Sequence, residues 1–280
     1  RDVLLEVKPD LIIVDHYALS KNWETAVNPD SLKLMVIDDL ADRAHQCSML
    51  LDQNFCRSIE DYATLVPDSC KCLIGPEYAL LRPEFEEARE SSLSRRFKFN
   101  IENILVSMGG VDKDNATASV LDILDSCELP KSCAINVVMG FHSPWLNQVK
   151  ERAKKMQYTT EVLFGVGDMA ARMADADLSI GALGGTTWER CALGLPAFVM
   201  LLAENQRVNL DSLVEIGAIQ YFDFTLFSSF LENDPALELR NMSTVSASLC
   251  QGNGAERVAD CLLFNIKGDT PKYSLPGRAT

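Results

Sequence analysis

Short apolar runs that end in Asp or Gly, each followed by a polar loop and then a helical pattern, recur along this chain, and few folds accommodate that rhythm. Leu11-Ile12-Ile13-Val14-Asp15, Leu34-Met35-Val36-Ile37-Asp38, Met49-Leu50-Leu51-Asp52 and Cys72-Leu73-Ile74-Gly75 have the length and branched-residue content of buried strands. The alternation restarts after a charged, Ser-rich, helix-prone link from Glu84 to Arg96. Strands are expected at 101–107, 134–139, 161–164, 178–180 and 197–201. Helices are expected at 115–126, 144–156, 169–175, 186–193 and 209–216, with two more near 235–250 and 255–264. Strand-helix alternation of this kind predicts parallel sheets covered by helices, an α/β fold with loops delivered to one sheet edge. We expect a Rossmann-like domain over 1–92, incomplete because it holds only about four strands and begins almost inside one. A second Rossmann-like domain is expected over 93–266, and a loose tail over 267–280.

Composition narrows the function. The chain has 280 residues, 47% hydrophobic and 24% charged, as expected for a globular protein. Its 26 basic and 40 acidic residues give a net charge of −14 with no basic cluster, which argues against nucleic acid. No apolar run approaches the ~20 residues that span a bilayer, so no membrane partner is expected. The N-terminus lacks the layout of a signal peptide, so a cytoplasmic location is expected. Nine cysteines, odd in number and irregular in spacing, read as reduced thiols rather than a disulfide or zinc framework. No metal and no cofactor is implied, and the oligomeric state is not encoded legibly.

The densest motif is Gly181-Ala182-Leu183-Gly184-Gly185-Thr186-Thr187-Trp188-Glu189, running on to Leu193-Gly194-Leu195-Pro196. A strand ends near Ile180, small residues turn the chain, and a helix begins near Thr186. Bare backbone N–H groups and the positive end of a helix suit a diphosphate. Glu189 could accept two hydrogen bonds from a ribose diol. The residues alone leave a second reading level with this one, Thr186 as a plain N-cap and Glu189 as its capping-box partner. Ser107-Met108-Gly109-Gly110-Val111-Asp112 follows the first strand of the second domain in the corresponding place, and Asn205-Gln206 follow the strand at 197–201. In the first domain, Asp15-His16-Tyr17 and Asp38-Asp39 cap strands. His16, His45 and His142 each read more readily as structural hydrogen bonders than as bases.

Together these motifs resemble those of the UDP-2,4-diacetamido-2,4,6-trideoxy-β-L-altropyranose hydrolase family of pseudaminic acid synthesis. The resemblance rests on Asp15-His16-Tyr17, Ile37 to Arg43, His45, Cys47, Leu50 to Asn54 and Gly75 to Phe85. It rests further on Ser107 to Asp112, Gly181 to Pro196 and Glu204-Asn205-Gln206. More distantly, the second domain is similar to the N-acetylglucosaminyltransferase that forms lipid II. The resemblance implies a GT-B arrangement, two Rossmann-like domains facing a cleft, and metal-free release of UDP by attack of water at the anomeric carbon. It places Glu189 on the ribose, and Gly184, Gly185, Thr186 and Thr187 on the diphosphate, with Gly109 and Gly110 opposite. The Val166 backbone would meet the uracil, Asn205 and Gln206 would lie near the sugar, and Tyr17 would face it as the catalytic-side residue. The family's Gly-x-Gly-His run, whose His is taken to activate the water, is not found in this sequence. General-base assistance contributes ~10²–10⁴-fold, so turnover by this chain is expected to be slow or absent. A GT-B glycosyltransferase and a non-catalytic nucleotide-sugar-binding module are the alternatives.

Overall fold

The structure is a computed structural model and describes residues 6–27, 32–96 and 100–267. The chain packs as two compact units, one formed by 1–80 with 253–280 and the other by 81–252.

The first unit is built on a four-stranded parallel sheet in the order β1 (Leu11–Asp15), β2 (Lys33–Ile37), β3 (Met49–Asp52) and β4 (Lys71–Ile74). Its strands lie where the apolar runs predicted them. Alternate side chains go to opposite faces. Leu34, Val36 and Leu50 therefore join one cluster with Val14 and Tyr62, while Met35, Met49, Leu51 and Leu73 join another. Burial on both faces is why β2 and β3 read as continuous apolar runs, whereas β1 is apolar although Ile13 is 54% exposed. The short helix α1 (Lys21–Val27), which the sequence did not announce, carries the buried Glu24.

The second unit begins earlier than expected. Helix α2 (Pro83–Arg95) is not a solvated link but part of this unit. The unit's six-stranded parallel sheet runs β10 (Gln220–Tyr221), β9 (Ala197–Met200), β8 (Leu178–Ala182), β5 (Asn103–Ser107), β6 (Ala134–Met139) and β7 (Thr159–Phe164). In chain order within the unit this is 3-2-1-4-5-6, the doubly wound Rossmann order. Its helices are α3 (Ala116–Ser126), α4 (Leu146–Ala153), α5 (Met169–Asp175), α6 (Gly185–Ala192), α7 (Arg207–Glu215), α8 (Phe224–Glu232) and α9 (Pro235–Leu249). Both β10 and α8 went unread in the sequence. Phe222, Phe227 and Phe230 surround Phe198, with ring centroids 6.4, 5.1 and 4.9 Å away.

The last helix, α10 (Gly254–Lys267), was expected in the second domain but packs with the first unit. Its stripe of Val258, Cys261 and Leu262 covers the Met35, Met49 and Leu51 face of the four-stranded sheet. Apolar residues at i, i+3 and i+4 mark such a face without naming the sheet that receives it. The tail from residue 268 onward lies outside the described residues. No described helix is long and apolar enough to cross a membrane.

Candidate functional site

In a doubly wound sheet, ligands settle outside the carboxyl ends of the strands where the winding reverses. In the second unit that point lies between β5 and β8, which pair from Ile104 with Leu178 to Ser107 with Gly181. The two Gly-rich loops singled out in the sequence leave the sheet here, side by side.

They are not equivalent. After β5, Gly109 and Gly110 are exposed, but Asp112 turns back with φ 49° and buries its carboxylate. Asp112 accepts hydrogen bonds from the N–H groups of Ala116 and Thr117 at 2.7 and 3.1 Å, so α3 carries its own anion. After β8, Gly184 caps α6 with φ 155°, and the first turn of that helix holds no acidic residue. Gly184 and Gly185 are exposed and Thr186 is half-buried. The helix begins one residue before its expected start, so Thr186 is not the N-cap and Glu189 sits in the second turn rather than the first. Thr187 is buried; its Oγ1 accepts from the Gly184 N–H at 3.3 Å and from Arg190 Nη2 at 3.1 Å. It shapes the turn from beneath. Gln206 Nε2 donates to the Leu183 carbonyl at 3.1 Å, tying the Glu204–Gln206 turn to the same loop. The Asn205 side chain lies outside the described residues.

Glu189 is partly buried, and burial pushes its carboxyl above the usual range, with Arg82 and Arg190 pulling it down and Glu84 pushing it up. Among the described residues its carboxylate has no hydrogen bond of its own. A half-buried acceptor left open beside the exposed Gly184-Gly185 turn is what a ribose diol requires.

On the other side of the crevice, β6 and β7 deliver Phe141 and Phe164. Phe141 is 70% exposed, and the two rings meet edge to face at 5.1 Å. Gly165, at φ 60°, permits this: a Cβ there would lie 2.4 Å from the Phe141 ring. Val166 follows, half-buried. Phe141 was not picked out in the sequence, although an aromatic directly after a strand-ending glycine was the available signal.

In the first unit, Tyr17 is 64% exposed, and its hydroxyl donates to Asp39 Oδ2 at 2.9 Å. That hydrogen bond, then burial, pushes the phenol up. Burial raises the Asp39 carboxyl. Asp39, which gave no sequence signal beyond its place after β2, is thus the partner of Tyr17. His16 Nδ1 accepts from the Ala18 N–H at 3.0 Å, a local turn contact. His45 is buried, with Nδ1 2.6 Å from Glu24 Oε1. Beside it, Asp38 accepts from the Ala41 N–H and the Tyr62 hydroxyl at 2.9 and 3.0 Å and pairs with Arg43 at 2.9 Å. The same hydroxyl, with a single proton to share between the two carboxyls, lies 2.8 Å from Asp52 Oδ2. This network ties loops of the first unit together, while His45 Nε2 is buried with no hydrogen-bond partner among the described residues. Among the described residues, no group of three or more His, Cys, Asp or Glu side chains is placed to hold a metal ion.

No protein-family model matches the chain. It is 29% identical over 154 residues to the UDP-2,4-diacetamido-2,4,6-trideoxy-beta-L-altropyranose hydrolase of Campylobacter jejuni, covering 55% of this chain and 52% of that protein. It is 33% identical over 145 residues to the spore coat polysaccharide biosynthesis protein SpsG of Bacillus subtilis, covering 51% of this chain and 41% of the relative. The chain thus spans about half the length, or less, of these curated relatives. Among solved structures, MurG of Acinetobacter baumannii superposes with a TM-score of 0.66 over 93% of this chain and 75% of that one, at 17% identity. At that identity the likeness shows the fold alone, a GT-B-like pair of Rossmann-type sheets. The resemblance drawn from the motifs is borne out, since the chain is similar in sequence to that Campylobacter hydrolase and in fold to the GT-B proteins.

Proposed function

We propose that this chain binds UDP in the crevice of its second unit and acts as a UDP-sugar hydrolase. Its substrate would be UDP-2,4-diacetamido-2,4,6-trideoxy-β-L-altropyranose, or a close relative, cleaved by water at the anomeric carbon without a metal. The observation that carries this reading is the turn at Gly184-Gly185. It lies at the switch point, exposes its backbone, and heads a helix with no acid in its first turn. A diphosphate accepting those N–H groups would gain as it becomes the leaving group, because negative charge grows there as the bond to the sugar breaks. Glu189 would take the ribose hydroxyls, Val166 and the face of Phe141 the uracil, and Gly109 and Gly110 would line the opposite wall. Gln206 and Asn205 would reach the sugar, and the resemblance assigns a catalytic part to Tyr17, whose hydroxyl is held by Asp39.

Incubating the chain with that UDP-sugar and following UDP and free sugar by anion-exchange chromatography tests the proposal. Stoichiometric release of UDP and free sugar above the uncatalysed rate is expected. Transfer of the sugar to an added acceptor would replace this reading with a glycosyltransferase. The alternative reading of the motifs is nucleotide-sugar binding without turnover. UDP binding with no release would establish it.

A further inference from the structure

Arg190 lies in α6, one residue after Glu189, and faces the other way. Helical side chains lean toward the helix N-terminus. Its guanidinium is accordingly carried back under the Gly-rich turn, where Nη2 donates to the Ala182 carbonyl at 2.9 Å and to Thr187 Oγ1 at 3.1 Å. The residue is 2% exposed. Its Nε is buried with no acceptor among the described residues. Gly181 makes the room: a Cβ there would lie 2.4 Å from Arg190 Nη1 and 2.7 Å from the Ser107 carbonyl oxygen. The cation therefore sits in the floor of the crevice, against the carboxyl ends of both β5 and β8.

A structural arginine in this same unit looks different. Arg96 is also buried, yet its Nε, Nη1 and Nη2 all find acceptors, the carbonyls of Leu193, Ala176 and Met173 together with Ser92 Oγ. Those carbonyls belong to helix C-termini, where positive charge is welcome. Arg190 is at the opposite pole. It adds positive charge beside a helix N-terminus, and among the described residues no carboxylate forms an ion pair with it. Burial lowers its pKa to about 10, so it stays charged at neutral pH. Burying a guanidinium with its Nε unserved is costly, and Glu189 attracts it without forming an ion pair. Two bonds from one nitrogen do not offset that. A ligand anion in the crevice would.

We infer that Arg190 is a buried counter-charge for the phosphates of the nucleotide, a positioning residue that sets the Gly-rich turn from below and supplies the field that holds a diphosphate. This deepens the proposed function and rests on its placement of UDP in the crevice of the second unit. The affinity gained per phosphate should then depend on Arg190, while affinity for the nucleoside should not.

Calorimetric titration of the full chain with uridine, UMP and UDP provides the test, on the wild type, Arg190→Met and Arg190→Lys. The wild type should bind in the order uridine, UMP, UDP with rising affinity. Arg190→Met should flatten that series, weakening UDP by about 10- to 100-fold, the size of a lost charge-assisted contact, and leaving uridine unchanged. Arg190→Lys keeps the charge without the fork and should fall between. Should the Met variant fail to fold, the Lys variant and its graded loss decide. Equal loss of all three ligands, or UDP affinity unchanged in the variants, would overturn the assignment. A wild type that binds no UDP would instead overturn the nucleotide reading of the crevice itself.

Discussion

Asp52 shows how a buried carboxyl in the first unit is kept. Burial pushes its pKa up to about 6, against hydrogen bonds from the Asn54 N–H and the Tyr62 hydroxyl and the nearby Arg57 cation. A carboxyl whose folded pKa exceeds its unfolded value stabilises the fold only while it is protonated. That contribution is full below the unfolded value near 4 and is lost as pH rises through about 6. Two units of difference correspond to on the order of 3 kcal/mol. We therefore expect Asp52→Asn to flatten the pH dependence of urea-induced unfolding between about pH 4 and 6, with stability that no longer declines across that window. A wild-type profile that rises there, or a variant profile parallel to the wild type, would contradict this. The motif residues were legible at this scale, because Gly184, Gly185 and Glu189 follow a strand ending and precede a helical pattern. Arg190 was not. It reads as one more charged residue on a helix, and only three-dimensional placement reveals that it points under the turn.

The elements were mostly legible and their allegiance was not. Strands announce themselves as short apolar runs bounded by polar loops, so β1 to β4 and β5 to β9 appear within a residue or two of their expected positions. The stretch from Glu84 to Arg96 misled because charge and Ser content resemble a solvated linker. Its arginines in fact reach the orphan carbonyls at helix ends: Arg89 those of Ala192, Ala247 and Cys250, Arg95 those of Ala174 and Ala176, and Arg96 those of Met173, Ala176 and Leu193. The last carbonyls of a helix lack internal partners, and a planar guanidinium can serve two or three at once. Arg96→Ala should leave those acceptors buried and unpaired. We expect a loss of about 3 kcal/mol, and for a unit of this size a fall in Tm on the order of 10 °C by differential scanning calorimetry. Arg96→Lys should recover only part of it, since an ammonium group cannot span the same carbonyls. A Tm within about 1 °C of wild type would refute the bolting role.

At the scale of the molecule, the chain divides at 80 and again at 252, so its last helix returns to the unit in which the chain begins. Sequence order hid this because an amphipathic stripe such as Val258, Cys261 and Leu262 shows that a face is buried and not which sheet receives it. The doubly wound order of the second sheet was implied by strand-helix alternation, and it is this order that sets the Gly109-Gly110 and Gly184-Gly185 loops side by side. Asp112 then separates their roles: the N-terminus of α3 carries its own carboxylate, and the first turn of α6 behind Gly184-Gly185 carries none. We propose that a UDP moiety is held there, its ribose on Glu189. Isothermal titration of UDP into the wild type and into Glu189→Ala tests this most directly. One UDP per chain is expected, with at least ~10-fold weaker binding in the variant, about 1.4 kcal/mol or more. An absence of binding by the wild type, or equal affinity in the two proteins, would contradict it.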